Sequence, residues 1–397
     1  MYSAVERTAD AILQDFADFT EDMLADSGGL KHSEVARGSA VVVDRGTAVD
    51  TLLDAARLLR ALEQVAMEGQ RYLEGDRCDD LEDAWSTSDG NWYVVPRLKA
   101  LAPIEGKPFL RRALLAHRVL PTTIQGHYRV RMHRLPSVTD TRSAKTYDGR
   151  FGAALFPGLD VDLSYPVEGR FLVDRLSGFD PGTLLKEQIA DARTAGCTAL
   201  VWAELTMPKS HVEEVRSILS QTALDGDVPF SFVMPGSWHT RVHGQMRNVG
   251  EVLNGRGEPL FPVVKWAKFT FDGLREDIVP GDEIPVLVGD DSLTTFAICR
   301  DFLQETGDIP YKKLNVDLAI VPSMTSNNDE LDTLVGHAAT ANTLRVRYGT
   351  RTLVVAQPAR SGKAGDGRVL AFPKKPLLAA GGIVVTGPSS VWDLESP

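Results

Sequence analysis

Apolar side chains in the first part of the chain follow a helical spacing. They recur at steps of three and four residues, at Val49, Leu52, Leu53, Ala56, Leu59, Leu62 and Val65. Such spacing places them on one face of a helix, as is typical of helices that pack against other helices. The pattern predicts a mainly helical N-terminal region over residues 1–120.

Beyond residue 120, short apolar runs alternate with helical patterns. The segment DPGTLLKEQIADARTAG opens with Asp180 as an N-cap and Pro181 at the first helical position, and it closes on Gly196. It therefore predicts a helix over residues 181–195. The buried-strand pattern CTALVWAELTMP follows, and then a predicted helix over residues 212–224 and a strand in VPFSFVMPGSW. This alternation is typical of a layered α/β domain, which we place over residues 125–397.

Several of the predicted strands end in side chains with useful chemistry. LVWAE reaches Glu204, FAIC reaches Cys299, DLAIVPS reaches Ser323, and the run GEPLFPVVKWAKF contains Lys265 and Lys268. Layered α/β folds present reactive side chains to a ligand at strand ends. A carboxylate, an amine and a thiol form a complete set for acyl transfer. The carboxylate takes the thiol proton, the thiolate attacks a carbonyl or nitrile carbon, and the ammonium stabilises the oxyanion.

Composition and charge limit the classes of function. The chain has 397 residues and a formal net charge of −11. That charge argues against a nucleic-acid-binding protein, which needs a basic surface. The basic stretch YRVRMHRL is interpreted as one charged face of a strand. The N-terminus MYSAVERTAD has no apolar signal core, and no apolar run approaches the length of a membrane span, so we predict neither secretion nor membrane insertion.

Cysteine usage and competing motifs narrow the chemistry further. The three cysteines are odd in number and far apart, which favours a reducing cytoplasm over a disulfide framework. No G-x-S-x-G elbow is present, and SGKAGDG lacks the P-loop pattern. HTRVH spaces His239 and His243 like zinc ligands, but it lacks the glutamate of H-E-x-x-H, and the adjacent PGSW predicts a loop. We interpret these histidines as structural or exposed, and we predict no metal site.

Together these segments resemble the nitrilase superfamily of carbon–nitrogen hydrolases. LVWAELTMP is similar to the family's strand that ends in glutamate, with Ala203 in place of the usual proline. FAICRDF is similar to its cysteine elbow, with Arg300 in place of the usual aromatic residue. DLAIVPSMTSN and the helical segment that follows it resemble the family's downstream segments. The resemblance covers residues 129–357.

The resemblance implies a catalytic triad in which Glu204 is the base, Cys299 the nucleophile and Lys265 the oxyanion stabiliser. Counting the family's spacing from Gly257 leads to Lys265, and Phe269 then falls on the aromatic position that follows. Lys268 is the alternative. The two lysines lie three residues apart, so alternation along a strand would place them on opposite faces, and only one could enter the site.

Four further residues are implied as supporting groups. Glu276 matches the family's second glutamate, which steadies the lysine amine, although a surface acid is the alternative reading. Arg300 supplies the backbone N–H that helps to bind the oxyanion, and Asp301 holds the turn, with a simple helix cap as its alternative. Ser323 belongs to the small polar cluster at a strand end.

The implied fold is a four-layer α-β-β-α sandwich preceded by the N-terminal helical region. The implied activity is hydrolysis of a small-molecule amide or nitrile, with no metal or organic cofactor, in a homodimer or higher oligomer. Two alternatives stay open. In the first, the chain is a catalytically silent interaction module whose N-terminal helical region recruits a protein partner. In the second, it is an N-acyltransferase that uses the same triad.

Overall fold

The computed structural model describes most of the chain beyond residue 116. The described residues are 82, 85–86, 90–96, 117–135, 150–228, 230–289, 292–303, 310–314, 316–325, 330–359, 367–372, 383–385 and 389–393. The chain divides into two compact units, one of residues 1–80 with 94–118 and one of residues 81–93 with 119–397. The predicted helical region of residues 1–120 lies almost wholly outside the described residues, so it stays a prediction.

The described elements are strands with a few helices between them. The helices are α1 (Pro181–Thr194), α2 (Lys209–Leu224) and α3 (Glu330–Tyr348), with 3₁₀ turns at Cys299–Phe302 and Pro310–Leu314. The strands are β1 (Trp92–Pro96), β2 (His117–Pro121), β3 (Thr123–Ile124), β4 (Tyr128–Arg134), β5 (Arg150–Ala154), β6 (Asp160–Ser164), β7 (Arg170–Ser177), β8 (Cys197–Trp202), β9 (Phe232–Met234), β10 (Trp238–Val242), β11 (Gln245–Asn254), β12 (Pro259–Val264), β13 (Thr270–Phe271), β14 (Leu274–Glu276), β15 (Glu283–Val288), β16 (Leu293–Phe296), β17 (Leu318–Thr325), β18 (Arg351–Pro358), β19 (Arg368–Phe372), β20 (Ile383–Val385) and β21 (Ser389–Asp393).

Most of the strands in the second unit form two large mixed sheets and one small one. The first large sheet has the order β10-β11-β9-β8-β5-β21, with β12 also paired to β11. The second has the order β20-β19-β18-β17-β16-β15-β4-β3, and the small sheet has the order β13-β14-β7-β6. Parallel pairs such as β8 with β9 and β16 with β17 lie beside antiparallel hairpins. The observed class is α/β, as the sequence predicted.

Helix boundaries follow from local chemistry. The Asp180 side chain accepts a hydrogen bond from the Gly182 backbone N–H at 3.2 Å, and Pro181 opens α1. The helix predicted over residues 181–195 is therefore confirmed to within one residue. The helix α2 begins at Lys209, three residues earlier than predicted, because Pro208 is its N-cap and a proline N-terminal to the first turn needs no backbone N–H.

A continuous apolar core lies between the two large sheets. Phe151, Val201 and Phe232 come from one sheet, and Phe296 and Leu353 come from the other. The rings of Phe232 and Phe296 meet edge to face, 5.6 Å apart. Burial of each such side chain stabilises the fold by about 1.5–3 kcal/mol. Cys299 belongs to the same core, so the sheet packing fixes its surroundings.

Helices cover the other face of the first large sheet. Leu185 and Ile189 of α1 and Leu219 of α2 pack in a second core with Trp202 and Val233 of that sheet. The helix α3 contacts β17, β18 and β19 of the second sheet. Among the described residues, no helix combines the length and the apolar composition needed to cross a membrane.

The segment HTRVH differs from the prediction. Its first four residues lie in strand β10 and not in a loop, and β10 pairs with β11 from Trp238↔Val249 to Val242↔Gln245. His243 and Gly244 form the two-residue turn, with φ of 49° and 80°. Positive φ at both positions suits a tight hairpin whose twist matches the strands. The segment PGSW runs into the strand, because Trp238 is the first residue of β10. YRVRMHRL lies on β4, so its assignment to a strand is confirmed.

Candidate active site

Three buried charged side chains meet in the second unit. Nζ of Lys265 donates to Oε1 of Glu204 at 2.8 Å and to Oε2 of Glu276 at 2.7 Å. The exposed fractions are 1% for Lys265, 2% for Glu204 and 1% for Glu276. Removing one partner of such a buried pair destabilises a protein by about 3–5 kcal/mol, since a charge is left uncompensated. The structure thus places the lysine between both predicted glutamates.

Strand register explains how Lys265 reaches this position. Val249 of β11 is opposite Val264 of β12, and the Lys265 N–H donates to the Asn248 carbonyl at 2.9 Å. Asn248 in turn is opposite His239 of β10. Directly opposed residues of antiparallel strands share one face of a sheet. His239, Asn248 and Lys265 therefore form a row across β10, β11 and the residue that directly follows β12.

Asn248 connects the two carboxylates. Its Nδ2 atom donates to Oε1 of Glu204 at 2.9 Å and to Oε1 of Glu276 at 3.1 Å. Carboxylate oxygens only accept hydrogen bonds, so the amide nitrogen must face both of them. The amide and the Lys265 ammonium thus bridge the two carboxyl groups in a buried site.

His239 fixes the other side of Glu276. Its Nδ1 atom accepts the Val173 N–H at 2.8 Å, and its Nε2 atom lies 3.0 Å from Oε1 of Glu276. Because Nδ1 is an acceptor, the ring hydrogen is on Nε2 and is donated to the carboxylate. The two histidines were predicted to be structural or exposed. His239 is buried and structural, whereas His243 is exposed in the turn.

Sequence reasoning missed the roles of Asn248 and His239. A signal was available in the His243–Gly244 turn, because a two-residue hairpin fixes which residues oppose each other. Counting outward from that turn pairs His239 with Asn248.

The electrostatics of the cluster favour its charged form. Burial lowers the pKa of Lys265, but the charges of Glu204 and Glu276 outweigh burial and raise that pKa above its usual value. Burial raises the pKa of Glu276, but Lys265 and the hydrogen bond from His239 outweigh it and hold the pKa well below the usual range. The ammonium and the Glu276 carboxylate are therefore both ionised at neutral pH.

Cys299 begins the 3₁₀ turn that follows β16, and it is 2% exposed. Its φ is 49°, in the left-handed region that residues other than glycine rarely adopt. Such strained backbone occurs often at functional sites, where the surroundings hold it. The strand predicted in FAIC ends at Phe296, and the Ala297 N–H still donates to the Ile320 carbonyl.

The end of β17 touches both the thiol and the carboxylate. Oγ of Ser323 donates to Sγ of Cys299 at 3.3 Å, and Sγ is 3.7 Å from the Met324 carbonyl oxygen. The Met324 N–H donates to Oε2 of Glu204 at 3.0 Å. Two successive residues of one strand thus link Cys299 to Glu204.

The thiol is protonated at rest. Burial and the negative charge of Glu204 raise the pKa of Cys299 to about 12, against the opposing effects of Lys265 and the hydrogen bond from Ser323. A thiol in this state needs a base to become a nucleophile.

Asp301 ties the cysteine turn to the lysine segment. It accepts backbone hydrogen bonds from Ile298 at 3.3 Å, from Trp266 at 3.1 Å and from Ala267 at 2.7 Å. Burial raises its pKa well above the usual value, although Lys265 and these N–H groups oppose the shift. A residue that only caps a helix would not also bind the backbone of Trp266 and Ala267, so Asp301 does more than cap the turn. Arg300 follows the cysteine and is half-buried.

Lys268 stands apart from the contacts described above. It is half-buried, whereas Lys265 is fully buried. The strand β12 ends at Val264. Lys265 continues its register through the hydrogen bond to the Asn248 carbonyl, whereas Lys268 lies beyond the strand, so strand alternation does not determine its direction.

The arrangement combines a carboxylate, an ammonium and a thiol around one strand end. Within the described ranges, no group of three or more His, Cys, Asp and Glu side chains could hold a metal ion. The side chains present suit proton transfer and stabilisation of a developing negative charge.

Comparisons with known proteins give distant structural matches. No protein-family model and no curated protein matches the chain. An amidase from Nesterenkonia sp. is 17% identical over 64% of this chain and 94% of its own, with a TM-score of 0.42. The NitN amidase from Neterenkonia sp. AN1 is 16% identical over 59% of this chain and 91% of its own, with a TM-score of 0.41. A mutant of the Nesterenkonia AN1 amidase, of the nitrilase superfamily, is 16% identical over 62% of this chain and 92% of its own, with a TM-score of 0.43. Sequence identities and TM-scores this low do not assign a function to the chain.

Proposed function

We propose that this chain is a hydrolase of small amides or nitriles that works through a cysteine acyl-enzyme. The observation that carries the proposal is the buried Glu204–Lys265 ion pair, which Met324 joins to the Cys299 thiol. These groups supply the base, the oxyanion stabiliser and the nucleophile of acyl transfer in one place.

The first half of the reaction forms a thioester. Glu204 takes the proton from Sγ of Cys299 as the sulfur attacks the carbonyl carbon of the amide. The Lys265 ammonium and the backbone N–H of Arg300 stabilise the oxyanion. Glu204 then gives its proton to the leaving nitrogen, the carbon–nitrogen bond breaks, and the amine or ammonia departs.

The second half releases the acid. Glu204 takes a proton from water as the water oxygen attacks the thioester carbon, and the same two donors stabilise the second oxyanion. The carbon–sulfur bond breaks and Sγ regains its proton through Glu204, which restores the resting site.

The high thiol pKa supports general-base activation. A thiol with a pKa near 12 is almost wholly protonated at neutral pH, so proton removal must accompany attack. Glu204 is held for this task by Lys265, Asn248 and the Met324 N–H. The Lys265 amine is held in turn by Glu276.

The layers of the second unit support the finer fold prediction. An apolar core separates the two large sheets, α1 and α2 pack on the outer face of the first sheet, and α3 contacts the second. We propose that these layers form a four-layer α-β-β-α sandwich. A homodimer or higher oligomer, a protein partner for the N-terminal region and a cytoplasmic location stay predictions.

One observation favours a second candidate, the catalytically silent module. Cys299 is 2% exposed and Ser323 is fully buried, so a substrate needs access that these side chains do not offer. A thiol that no substrate reaches would serve only packing, as most buried cysteines do.

The test is turnover of small aliphatic amides and nitriles, with mass detection of the acid product and of the thioester on Cys299. The wild type should release ammonia, and Cys299→Ala should have no turnover and an unchanged circular dichroism spectrum. Cys197→Ala is the matched control, because Cys197 is a buried thiol in the core beneath α1. No adduct and no turnover in the wild type would favour the silent module. Transfer of the acyl group to an added amine in preference to water would indicate an acyltransferase.

A further inference from the structure

His337 of α3 contacts the peptide unit that follows the thiol. Its Nε2 atom is 3.2 Å from the carbonyl oxygen of Cys299, and its side chain is fully buried. Its ring lies nearly parallel to that of Phe302, with an interplanar angle of 16° and centroids 6.3 Å apart. Phe302 is the last residue of the 3₁₀ turn that Cys299 begins. The same histidine therefore contacts both ends of the turn.

Peptide geometry makes this contact informative. A carbonyl oxygen only accepts hydrogen bonds, so Nε2 of His337 carries a proton. The Cys299 carbonyl and the Arg300 N–H belong to one planar trans peptide and point in opposite directions. A donor that holds the carbonyl thus also sets the direction of the Arg300 N–H.

The backbone at Cys299 needs such support. Its φ of 49° lies in the left-handed region, which is sparsely populated for side chains other than glycine. A strained residue of this kind persists only where the surroundings hold it. Asp301 holds the turn from the side of Trp266 and Ala267, and His337 holds it from α3.

We propose that His337 is a positioning residue that aims the Arg300 backbone N–H at the oxyanion formed when Cys299 attacks. The proposal rests on the proposed function, because the role exists only in a reaction that forms an oxyanion. The bond from Nε2 also polarises the peptide, which makes the Arg300 N–H a stronger donor. Loss of one oxyanion donor slows turnover by about 100- to 1,000-fold. A donor that is present but misdirected should slow turnover by a smaller factor.

Two chemical probes separate this role from a structural one. p-Nitrophenyl acetate acylates a thiol through a tetrahedral oxyanion: the sulfur–carbon bond forms, the thiol proton passes to Glu204 and p-nitrophenolate leaves. Iodoacetamide alkylates the same sulfur by direct displacement of iodide, with no oxyanion. A residue that aims an oxyanion donor should affect the first reaction and leave the second almost unchanged.

The test compares His337→Phe, which keeps an aromatic ring beside Phe302, with His337→Gln, which keeps an N–H donor. Acylation and alkylation of Cys299 are followed by mass spectrometry, with Cys299→Ala as background. We expect His337→Phe to slow acylation by about 10- to 100-fold and to leave alkylation within about twofold. His337→Gln should recover most of the acylation rate. If His337→Phe does not fold, His337→Met gives the same comparison with His337→Gln.

Three outcomes would overturn the proposal, and they differ in what else they affect. Unchanged acylation in His337→Phe, with an active wild type, removes the role of His337 and leaves the proposed function intact. Equal slowing of both probes shows that His337 only maintains the turn. A wild type that is acylated no faster than Cys299→Ala contradicts the proposed function, and this inference fails with it.

Discussion

The Nζ atom of Lys265 lies 2.7 Å from Oε2 of Glu276, eleven residues further along the chain. The same carboxylate oxygen accepts the Phe269 N–H at 3.0 Å. Glu276 therefore holds both the lysine amine and the backbone segment that follows it. The ammonium is thus held by Glu276 in addition to Glu204, the carboxylate beside which it is proposed to act.

Replacing Lys265 and Lys268 separately tests which lysine acts in the reaction. Lys265→Ala should lower kcat by at least about a hundredfold, because it removes the charge that stabilises the oxyanion. It should also destabilise the fold by about 3–5 kcal/mol, because two buried carboxylates lose their cation. Lys268→Ala is the matched control and should stay close to wild type in both respects.

Lys265→Arg separates charge from position. It keeps a cation between the carboxylates but moves the donor atoms, so we expect it to be more stable than Lys265→Ala and still nearly inactive. Urea unfolding and steady-state kinetics measure the two effects. Full activity in Lys265→Ala would contradict the proposed site, and loss of activity only in Lys268→Ala would transfer the role to that residue.

Replacing His239 tests the support of Glu276. His239→Phe removes the donor to Glu276 and the acceptor for the Val173 N–H. We expect kcat to fall about tenfold with KM within about twofold, because the lysine amine loses part of its positioning without loss of substrate contacts. His239→Gln should recover part of kcat, since an amide offers both an acceptor and a donor.

The control for this experiment is His243→Asn. His243 is exposed in the hairpin turn with φ of 49°, a conformation that asparagine tolerates. Kinetic constants equal to those of the wild type are expected for it. An unchanged kcat in His239→Phe would show that Glu276 needs no help from the ring.

The pH dependence of alkylation tests the state of the resting thiol. An ordinary thiol has a pKa of about 8.5, and its alkylation rate levels off above that pH. The pKa of Cys299 is raised to about 12, so the thiolate fraction is small at neutral pH and grows with pH throughout the accessible range. The iodoacetamide rate at Cys299, measured by peptide mass spectrometry, should rise from pH 7 to 10 without a plateau. A plateau below pH 9 would mean that the thiol is activated before substrate binds.

The stability of the Glu276 interaction should depend on pH in a defined direction. Its pKa in the folded protein is held below the usual value of 4.5. The stabilisation is therefore fully present above about pH 4.5 and is lost as the pH falls, because the unfolded state takes up the proton first. The difference in free energy of unfolding between wild type and Glu276→Gln should be largest near pH 7 and should shrink below pH 4.5.

Urea unfolding between pH 7 and 4 measures this difference, with Glu168→Gln as the exposed control. A difference that grows as the pH falls would contradict the charged state assigned to Glu276.

Local patterns in the sequence were enough to place the helix α1 and the strands that lead to Glu204, Cys299 and Ser323. The N-cap at Asp180 and the apolar runs before Glu204, Cys299 and Ser323 are signals carried by neighbouring residues. The structure brings those three side chains and Lys265 together where the strands end. Their roles in catalysis stay a proposal.

The supporting contacts are of a different kind. His239 meets Glu276 across 37 positions, Asp301 meets the Ala267 N–H across 34, and His337 meets the Cys299 carbonyl across 38. Each depends on strand register or on helix placement, which local periodicity does not specify. The hairpin turn at His243 and Gly244 was the one local clue, and the misreading of HTRVH as a loop concealed it.

The row of His239, Asn248 and Lys265 also bears on folding fidelity. Side chains alternate between the two faces of a strand, so slipping β10 or β12 by one residue against β11 would turn part of the row to the opposite face. Glu204 and Glu276 would then be buried without their donors, a penalty of several kcal/mol that an apolar row would not impose. The polar contacts thus discriminate between strand pairings of similar hydrophobicity, and a misregistered chain is rejected by the same residues that the native chain uses in its site.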